Sequence, residues 1–193
     1  AGTAEQKQAW LPRIASGDAV LTPAWLEPER GYGPAGIQVQ AVADPDSGPG
    51  AVRLSGTKRH VAFASSATRL VVLARNGEGR GPEGIDLYLV DPTAAGVTLT
   101  QQLSLHSDTQ YRVDLDGVRV EAADCVGAAG SGWAAWDTVS YDAMVLLAAY
   151  AAGGADYAQE ITVQYSKDRH QFDKPLGAFQ AIAHYLADRQ AEL

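Results

Sequence analysis

Sulfur is nearly missing from this chain. Its 193 residues hold one cysteine, Cys125, and one methionine. A lone thiol excludes a disulfide framework and any multi-cysteine zinc site. Histidine is scarce too: His60, His106, His170 and His184 are all there are. Only His184 has a carboxylate four residues on, Asp188, which is too few ligands for a metal and reads as a solvated surface pair. Basic residues are outnumbered, 15 against 23 acidic, for a formal charge of −8. That balance argues against general nucleic-acid binding, which needs a basic face, but leaves room for a phosphorylated small ligand met by a few local Arg and Lys. There is no run of about 18 apolar residues, the length of a membrane-spanning helix, and the polar start Ala1-Gly2-Thr3-Ala4-Glu5-Gln6-Lys7 has no apolar signal core. The expected location is therefore the cytoplasm. No initiator methionine is present and the chain stops abruptly at Ala191-Glu192-Leu193, so a piece of a longer protein is expected. No Gly-x-Ser-x-Gly elbow occurs and Cys125 has no evident base beside it, which argues against nucleophilic hydrolysis.

What the chain has in abundance is alanine and apolar side chains. Hydrophobic residues make up 46%, too many for a disordered chain and ample for a buried core. Of 34 alanines, 18 lie from Ala122 onward. The chain divides into a short helix, a β-rich middle and a helical last third. Thr3-Ala4-Glu5-Gln6 has capping-box spacing and Gly17 is a stop signal, which predicts a helix to about Ser16. Pro12 conflicts with that helix, since a mid-helix proline costs roughly 3 kcal/mol, and a kink or two short segments would resolve it. Leu70-Val71-Val72-Leu73, Ile85 to Val90 and Tyr111 to Leu115 read as strands, the last resuming at Val118 and Val120. With no βαβ alternation, the predicted class is α+β, an antiparallel barrel or sandwich followed by long helices of an incomplete up-down four-helix bundle. One long helix is expected from about Trp133 to Ser166 and a second from near Pro175-Leu176-Gly177 to the end. Gly153-Gly154 inside the first predicts a close helix–helix contact.

Three segments invite chemistry. Gly127 to Gly132, ahead of a helix, reads as a flexible joint or as a phosphate cradle at the helix N-terminus. It matches neither a P-loop nor a dinucleotide fingerprint. Lys58-Arg59 after Gly56-Thr57 reads first as a solvated basic turn. The stretch Lys167-Asp168-Arg169-His170-Gln171-Phe172-Asp173-Lys174-Pro175-Leu176-Gly177-Ala178-Phe179-Gln180-Ala181-Ile182 is the most informative. It sets an arginine, suited to phosphate, three residues from a phenylalanine, suited to stacking on a planar ring, in a turn between two helices. Chemistry alone makes this a nucleotide-contacting corner.

That stretch resembles the signature of acyl-CoA dehydrogenases, roughly Lys/Glu-Arg-x-Gln-Phe-Gly-x-Pro-(Ile/Leu)-x-x-Phe-Gln-x-Ile. Further pieces agree in order: Gly2-Thr3-Ala4-Glu5-Gln6-Lys7 continuing to Leu11-Pro12-Arg13-Ile14-Ala15-Ser16-Gly17, Glu27-Pro28 where the family has Thr-Glu-Pro, Gly56-Thr57-Lys58 where it has Asn-Gly-x-Lys, and Asp116-Gly117-Val118-Arg119-Val120 followed by Gly130-Ser131-Gly132-Trp133. The resemblance covers nearly the whole chain. It implies the last helix of an N-terminal helical domain at 1–17, a middle β-domain at 18–126 and the start of a C-terminal bundle at 127–193. It also implies FAD between β-domain and bundle, a second subunit completing the site, and a carboxylate that removes the α-proton of an acyl-CoA while the flavin takes the β-hydride. The partners implied are an acyl-CoA substrate, a homo- or hetero-oligomer (dimer or tetramer) and an electron-accepting flavoprotein.

Carried over residue by residue, the flavin-facing positions depart from the family. The threonine that bonds the flavin is Leu26, the serine of the following Gly-x-Gly-Ser is Tyr32, and in Lys-x-Trp-Ile-Thr-Asn the tryptophan is His60 and the threonine Ala62. Each lost hydroxyl bond removes about 0.5–1.5 kcal/mol, and several together weaken FAD by more than about tenfold, unless backbone amides compensate. The corner that reaches a neighbouring subunit's FAD is better kept, at Arg169, Gln171, Phe172, Leu176 and Gln180, with Asp173 in place of the usual glycine. The catalytic carboxylate has no clear counterpart. One branch of the family carries it at the position of Ala143, and the adjacent Asp142 sits about 100° round the helix from there. The leading expectation is an FAD-dependent acyl-CoA dehydrogenase-like oxidoreductase. The alternatives are a non-catalytic partner subunit with a degraded flavin pocket, and a binding or scaffolding β-domain.

Overall fold

The computed structural model describes residues 1–105 and 108–193, so His106 lies outside the described residues. It contains two compact units, Ala1–Asp137 and Thr138–Leu193.

The first unit opens with helix α1, Ala4–Ser16. Thr3 Oγ1 accepts the Gln6 amide at 3.2 Å and the Gln6 side chain accepts the Thr3 amide at 3.0 Å, so the capping box forms as its spacing predicts. Gly17 ends the helix in the left-handed conformation at φ 83°. Pro12 stays inside one continuous helix rather than splitting it. The Gln6 amide group also donates to the carbonyls of Ala123 and Cys125, both at 2.8 Å, tying α1 to the far end of the same unit.

Seven strands follow: β1 Leu21–Ala24, β2 Gln40–Ala43, β3 Val52–Ala62, β4 Arg69–Arg75, β5 Ile85–Val90, β6 Val97–Gln102 and β7 Gln110–Val120. They form one sheet in the order β1-β4-β2-β3-β7-β6, with β5 on the other edge of β4. Most pairings are antiparallel, as expected. The exceptions are β1 and β2, which share one edge of β4 and run parallel to it. The sheet is therefore mixed. The reason lies in β4, whose two faces are both buried. Leu70, Val72 and Ala74 enter one apolar cluster with Leu54, Val113 and Val118, while Leu73 enters a second with Ile37, Ile85 and Leu87. β5 divides its side chains the same way, with Tyr88 and Val90 in the first cluster and Ile85 and Leu87 in the second. A strand buried on both sides needs a near-continuous apolar run rather than an alternating one, which is the Leu70–Leu73 pattern. Trp25, Trp133 and Trp136 close the second cluster.

Helix α2, Gly132–Asp168, is slightly longer than its sequence pattern, and its first turn belongs to the first unit. Within the second unit it leads to a two-strand hairpin, β8 His170–Gln171 and β9 Lys174–Pro175, and then to α3, Gln180–Glu192. Gln159 Nε2 on α2 donates to the Leu186 carbonyl of α3 at 2.6 Å. Gly153 and Gly154 meet nothing within 4 Å of an added Cβ, so the close contact their sequence predicts does not form within the chain. Val145, Leu146, Leu147 and Tyr150 on α2 are exposed. Among the described residues no helix is long and apolar enough to cross a membrane, and no group of three His, Cys, Asp or Glu side chains stands ready for a metal.

Candidate functional site

The positions implicated by sequence fall into two sets, one in each unit. In the first, Leu26 and Tyr32 lie on the segment between β1 and β2, and His60 and Ala62 lie on β3. The two pieces are laced together. The Arg59 amide donates to the Leu26 carbonyl at 2.9 Å, and Thr22 Oγ1 donates to the Ala62 carbonyl at 2.7 Å. Tyr32 is 72% exposed, with its ring 5.7 Å from that of Trp25, which in turn lies 5.2 Å from Trp136. His60 sits in a β-bulge with φ 52°. Its amide donates to Gln102 Oε1 at 2.8 Å and its Nδ1 lies 3.0 Å from Gln110 Oε1. That oxygen can only accept, so the bond places a proton on Nδ1.

Lys58 is not the solvated turn that its sequence context predicts. Its side chain is fully buried, and Nζ donates to Glu27 Oε1 at 2.7 Å and to the Trp25 carbonyl at 3.3 Å. The Glu27 carboxylate also accepts the amides of Gln38, at 2.9 Å to each oxygen, and Val39, at 3.0 Å. Burial pushes the Lys58 ammonium down to about 8, against the pull of Glu27. Arg75, also buried, donates to the carbonyls of Ile37 at 3.0 Å, Glu83 at 3.1 Å and Pro34 at 2.7 Å. Desolvation lowers its pKa, opposed by Glu27 and Glu83. Sequence reasoning misses this network. Glu27 and Lys58 are visible as separate motif residues, but nothing in the chain announces that they meet, and Arg75 reads only as the end of an apolar strand.

The glycine-rich segment is neither a loose joint nor a phosphate cradle. The Gly130 amide donates to Asp86 Oδ1 at 2.6 Å, and Asn76 Nδ2 donates to Oδ2 at 2.9 Å. A Cβ on Gly132 would lie 2.5 Å from Asp86 Cα. A buried carboxylate already occupies the position an anion would take, and the close approach fixes the backbone. Burial raises the pKa of Asp86, while hydrogen bonds from Gly130 and Gly132 lower it.

In the second unit the hairpin brings the signature residues into one turn. Phe172 and Asp173 are its central residues, both left-handed at φ 52° and 61°, the conformation of a type I′ turn. The turn thus forms with Asp173 in the glycine position. The Leu176 amide donates to the Arg169 carbonyl at 2.9 Å, closing the base of the hairpin. Phe172 is 87% exposed and meets Phe179 edge-on at 6.2 Å, and Lys174 Nζ lies 4.2 Å from the Phe179 ring centre. Arg169, Gln171 and Gln180 are exposed, and Leu176 is half-buried. Asp142 lies on an exposed stretch of α2 beside the half-buried Ala143.

Comparison with known proteins agrees with this geometry. Residues 130–193 match the family model of the acyl-CoA dehydrogenase C-terminal domain. The whole chain aligns at 31% identity with half of a probable acyl-CoA dehydrogenase of Bacillus subtilis. Among solved structures, a glutaryl-CoA dehydrogenase from Mycobacterium smegmatis in complex with FADH2 superposes with a TM-score of 0.87 at 31% identity, over 99% of this chain and 48% of that one. Butyryl-CoA dehydrogenase from Megasphaera elsdenii gives a TM-score of 0.89 at 27% identity, over 98% of this chain and 50% of that one. The chain spans about half the length of the curated relatives it matches. The likeness to acyl-CoA dehydrogenases thus runs from α1 through α3.

Proposed function

We propose that this chain supplies the β-domain and the opening of the helical bundle of an FAD-dependent oxidoreductase that dehydrogenates an acyl-CoA thioester between its α and β carbons. In this reading residues 1–17 end an N-terminal helical domain, 18–126 form the β-domain and 127–193 begin the bundle. The observation that carries it is the end-to-end likeness to a glutaryl-CoA dehydrogenase structure that holds FADH2, with Leu26, Tyr32, His60 and Ala62 on two laced segments of one unit.

The residues present fit a flat, largely apolar ring. Leu26 and Ala62 give it aliphatic surface, and the exposed Tyr32 ring beside Trp25 gives it an aromatic neighbour. FAD, when bound, supplies the acceptor for the hydride. Tyr32 and His60 Nε2 are the polar side-chain groups left to orient the ring on the first unit. On the second, Arg169 is the group suited to a phosphate and the exposed Phe172 the group suited to stacking. The full protein works as a homo- or hetero-oligomer and passes electrons to a flavoprotein acceptor, in the cytoplasm. The test is to purify the full-length protein, record its flavin absorbance, and follow dye reduction with a panel of acyl-CoA thioesters. Bound flavin and reduction by one thioester class support the proposal. A protein that takes up no FAD and reduces no dye overturns it.

A second reading has its own observation. Leu26 and Ala62 offer no side-chain donor, and His60 is already engaged by Gln102 and Gln110. Those features suit a partner subunit that lends Arg169 and Phe172 to another chain's flavin. A stable homo-oligomer with one FAD per chain rules this out.

A further inference from the structure

Three of the five buried charged side chains among the described residues, Glu27, Lys58 and Arg75, converge on one segment. That segment, residues 25–39, contains no strand and only one short 3-10 turn at Pro34–Gly36. Several of its backbone groups are bonded instead by these three side chains. Glu27 takes the amides of Gln38 and Val39, Lys58 takes the carbonyl of Trp25, and Arg75 takes the carbonyls of Pro34 and Ile37. The stretch from Leu26 to Gly33 is an arc with both feet pinned. One foot is held at Trp25 and Leu26 by β3, the other at Pro34 by β4. The arc also folds tightly on itself, since a Cβ on Gly36 would fall on the Gly31 carbonyl.

Buried ion pairs are poor sources of stability. Well-packed apolar residues of similar volume usually do as well or better. What a buried charge with several fixed backbone partners supplies is one geometry rather than another. We propose that Glu27, Lys58 and Arg75 are positioning residues that shape the Leu26–Gly33 arc to receive the flavin. This rests on the FAD reading above and names what that reading requires of the fold.

The test uses the full-length protein with wild-type sequence, the Lys58→Met single variant and the Glu27→Met/Lys58→Met double variant. Two quantities are measured on each: hydrogen exchange of the amides in residues 25–39, and FAD affinity by quenching of flavin fluorescence. Lys58→Met leaves an unpaired buried carboxylate and is expected to destabilise the whole unit. The double variant removes both charges and so loses less unfolding free energy than Lys58→Met, with the unit still folded. Its Gln38 and Val39 amides nevertheless exchange about tenfold faster or more, and its FAD affinity falls about tenfold or more, while β4 and β5 stay protected. Wild-type exchange at Gln38 and Val39 together with wild-type FAD affinity in the folded double variant overturns the proposal. If the wild-type protein takes up no FAD, the flavin reading fails, and the exchange result alone decides whether Glu27 and Lys58 hold the arc.

Discussion

Between Trp25 and Val39 the backbone hangs on buried charges, whereas between Arg169 and Gln180 it hangs on its own turn. The first segment presents Leu26 and Tyr32 from a backbone that Glu27, Lys58 and Arg75 hold in place. The second presents Arg169, Gln171, Phe172 and Gln180 on and beside a hairpin whose central residues are both exposed. A frame built from distant buried partners can fix a segment that has almost no secondary structure of its own. A frame built from six consecutive residues has little to hold it besides those residues themselves.

The sharpest way to break this comparison is to remove Arg75. Arg75→Met removes the guanidinium bonds to the carbonyls of Pro34, Ile37 and Glu83, of which Pro34 still accepts the Ile37 amide. At about 1 kcal/mol for each bond the expected loss is about 3 kcal/mol, read from urea unfolding of the full-length protein. A loss under about 1 kcal/mol shows that the arc holds itself, as the hairpin does. Gly132→Ala tests the other buried anchor in the first unit. The added methyl has backbone, not a flexible side-chain end, in its way, so the strand or the helix start must shift, at about 2 kcal/mol. An unchanged unfolding midpoint restores the flexible joint that the glycine run predicts from sequence.

The hairpin was legible in the sequence because its determinants are contiguous. Arg169 through Ile182 can be matched as one string, and the turn needs no residue from elsewhere. Strands β5 and β7 are legible through periodicity and β4 through its apolar run, whereas β1, β2, β3 and β6 carry no such pattern that sets them apart. The parallel pairing of β1 and β2 with β4 was not, because parallel partners are set by which faces must be buried, not by a local turn. The charge network was hidden for a related reason. Glu27, Lys58 and Arg75 stand 31 and 17 positions apart on separate elements, and a buried lysine has the same letter as a solvated one. Asp86 likewise gives no local sign that it caps the glycine run.

The pH dependence of stability separates the two regions further. In the unfolded chain Lys58 keeps its proton to about 10.5, and in the fold only to about 8. Below pH 8 both states are protonated and the fold bears the full cost of the buried ammonium. As pH rises above 8 the unfolded chain holds one proton more than the folded one, so unfolding free energy rises with pH through Lys58. Wild type should therefore show a more positive slope than Glu27→Met/Lys58→Met between pH 8 and 9.5, by about 1 kcal/mol per pH unit at most. Equal slopes would mean that Lys58 titrates in the fold as it does in water.

The smallest expected effect lies in the hairpin. Asp173 stands left-handed at φ 61°, a conformation that costs an ordinary residue roughly 1–2 kcal/mol and aspartate less. Glycine removes that cost but adds freedom to the unfolded chain, worth roughly 0.5–1 kcal/mol. Asp173→Gly should thus stabilise the second unit by only about 0.5 kcal/mol. Phe172→Gly relieves the same backbone strain at φ 52° but deletes the ring that meets Phe179, an aromatic contact worth about 0.5–1.5 kcal/mol, so it should give no gain. Thermal melts of the two variants decide the point. A larger gain from Phe172→Gly than from Asp173→Gly would mean that the exposed ring adds nothing to the turn, and that its place there answers only to whatever it stacks against.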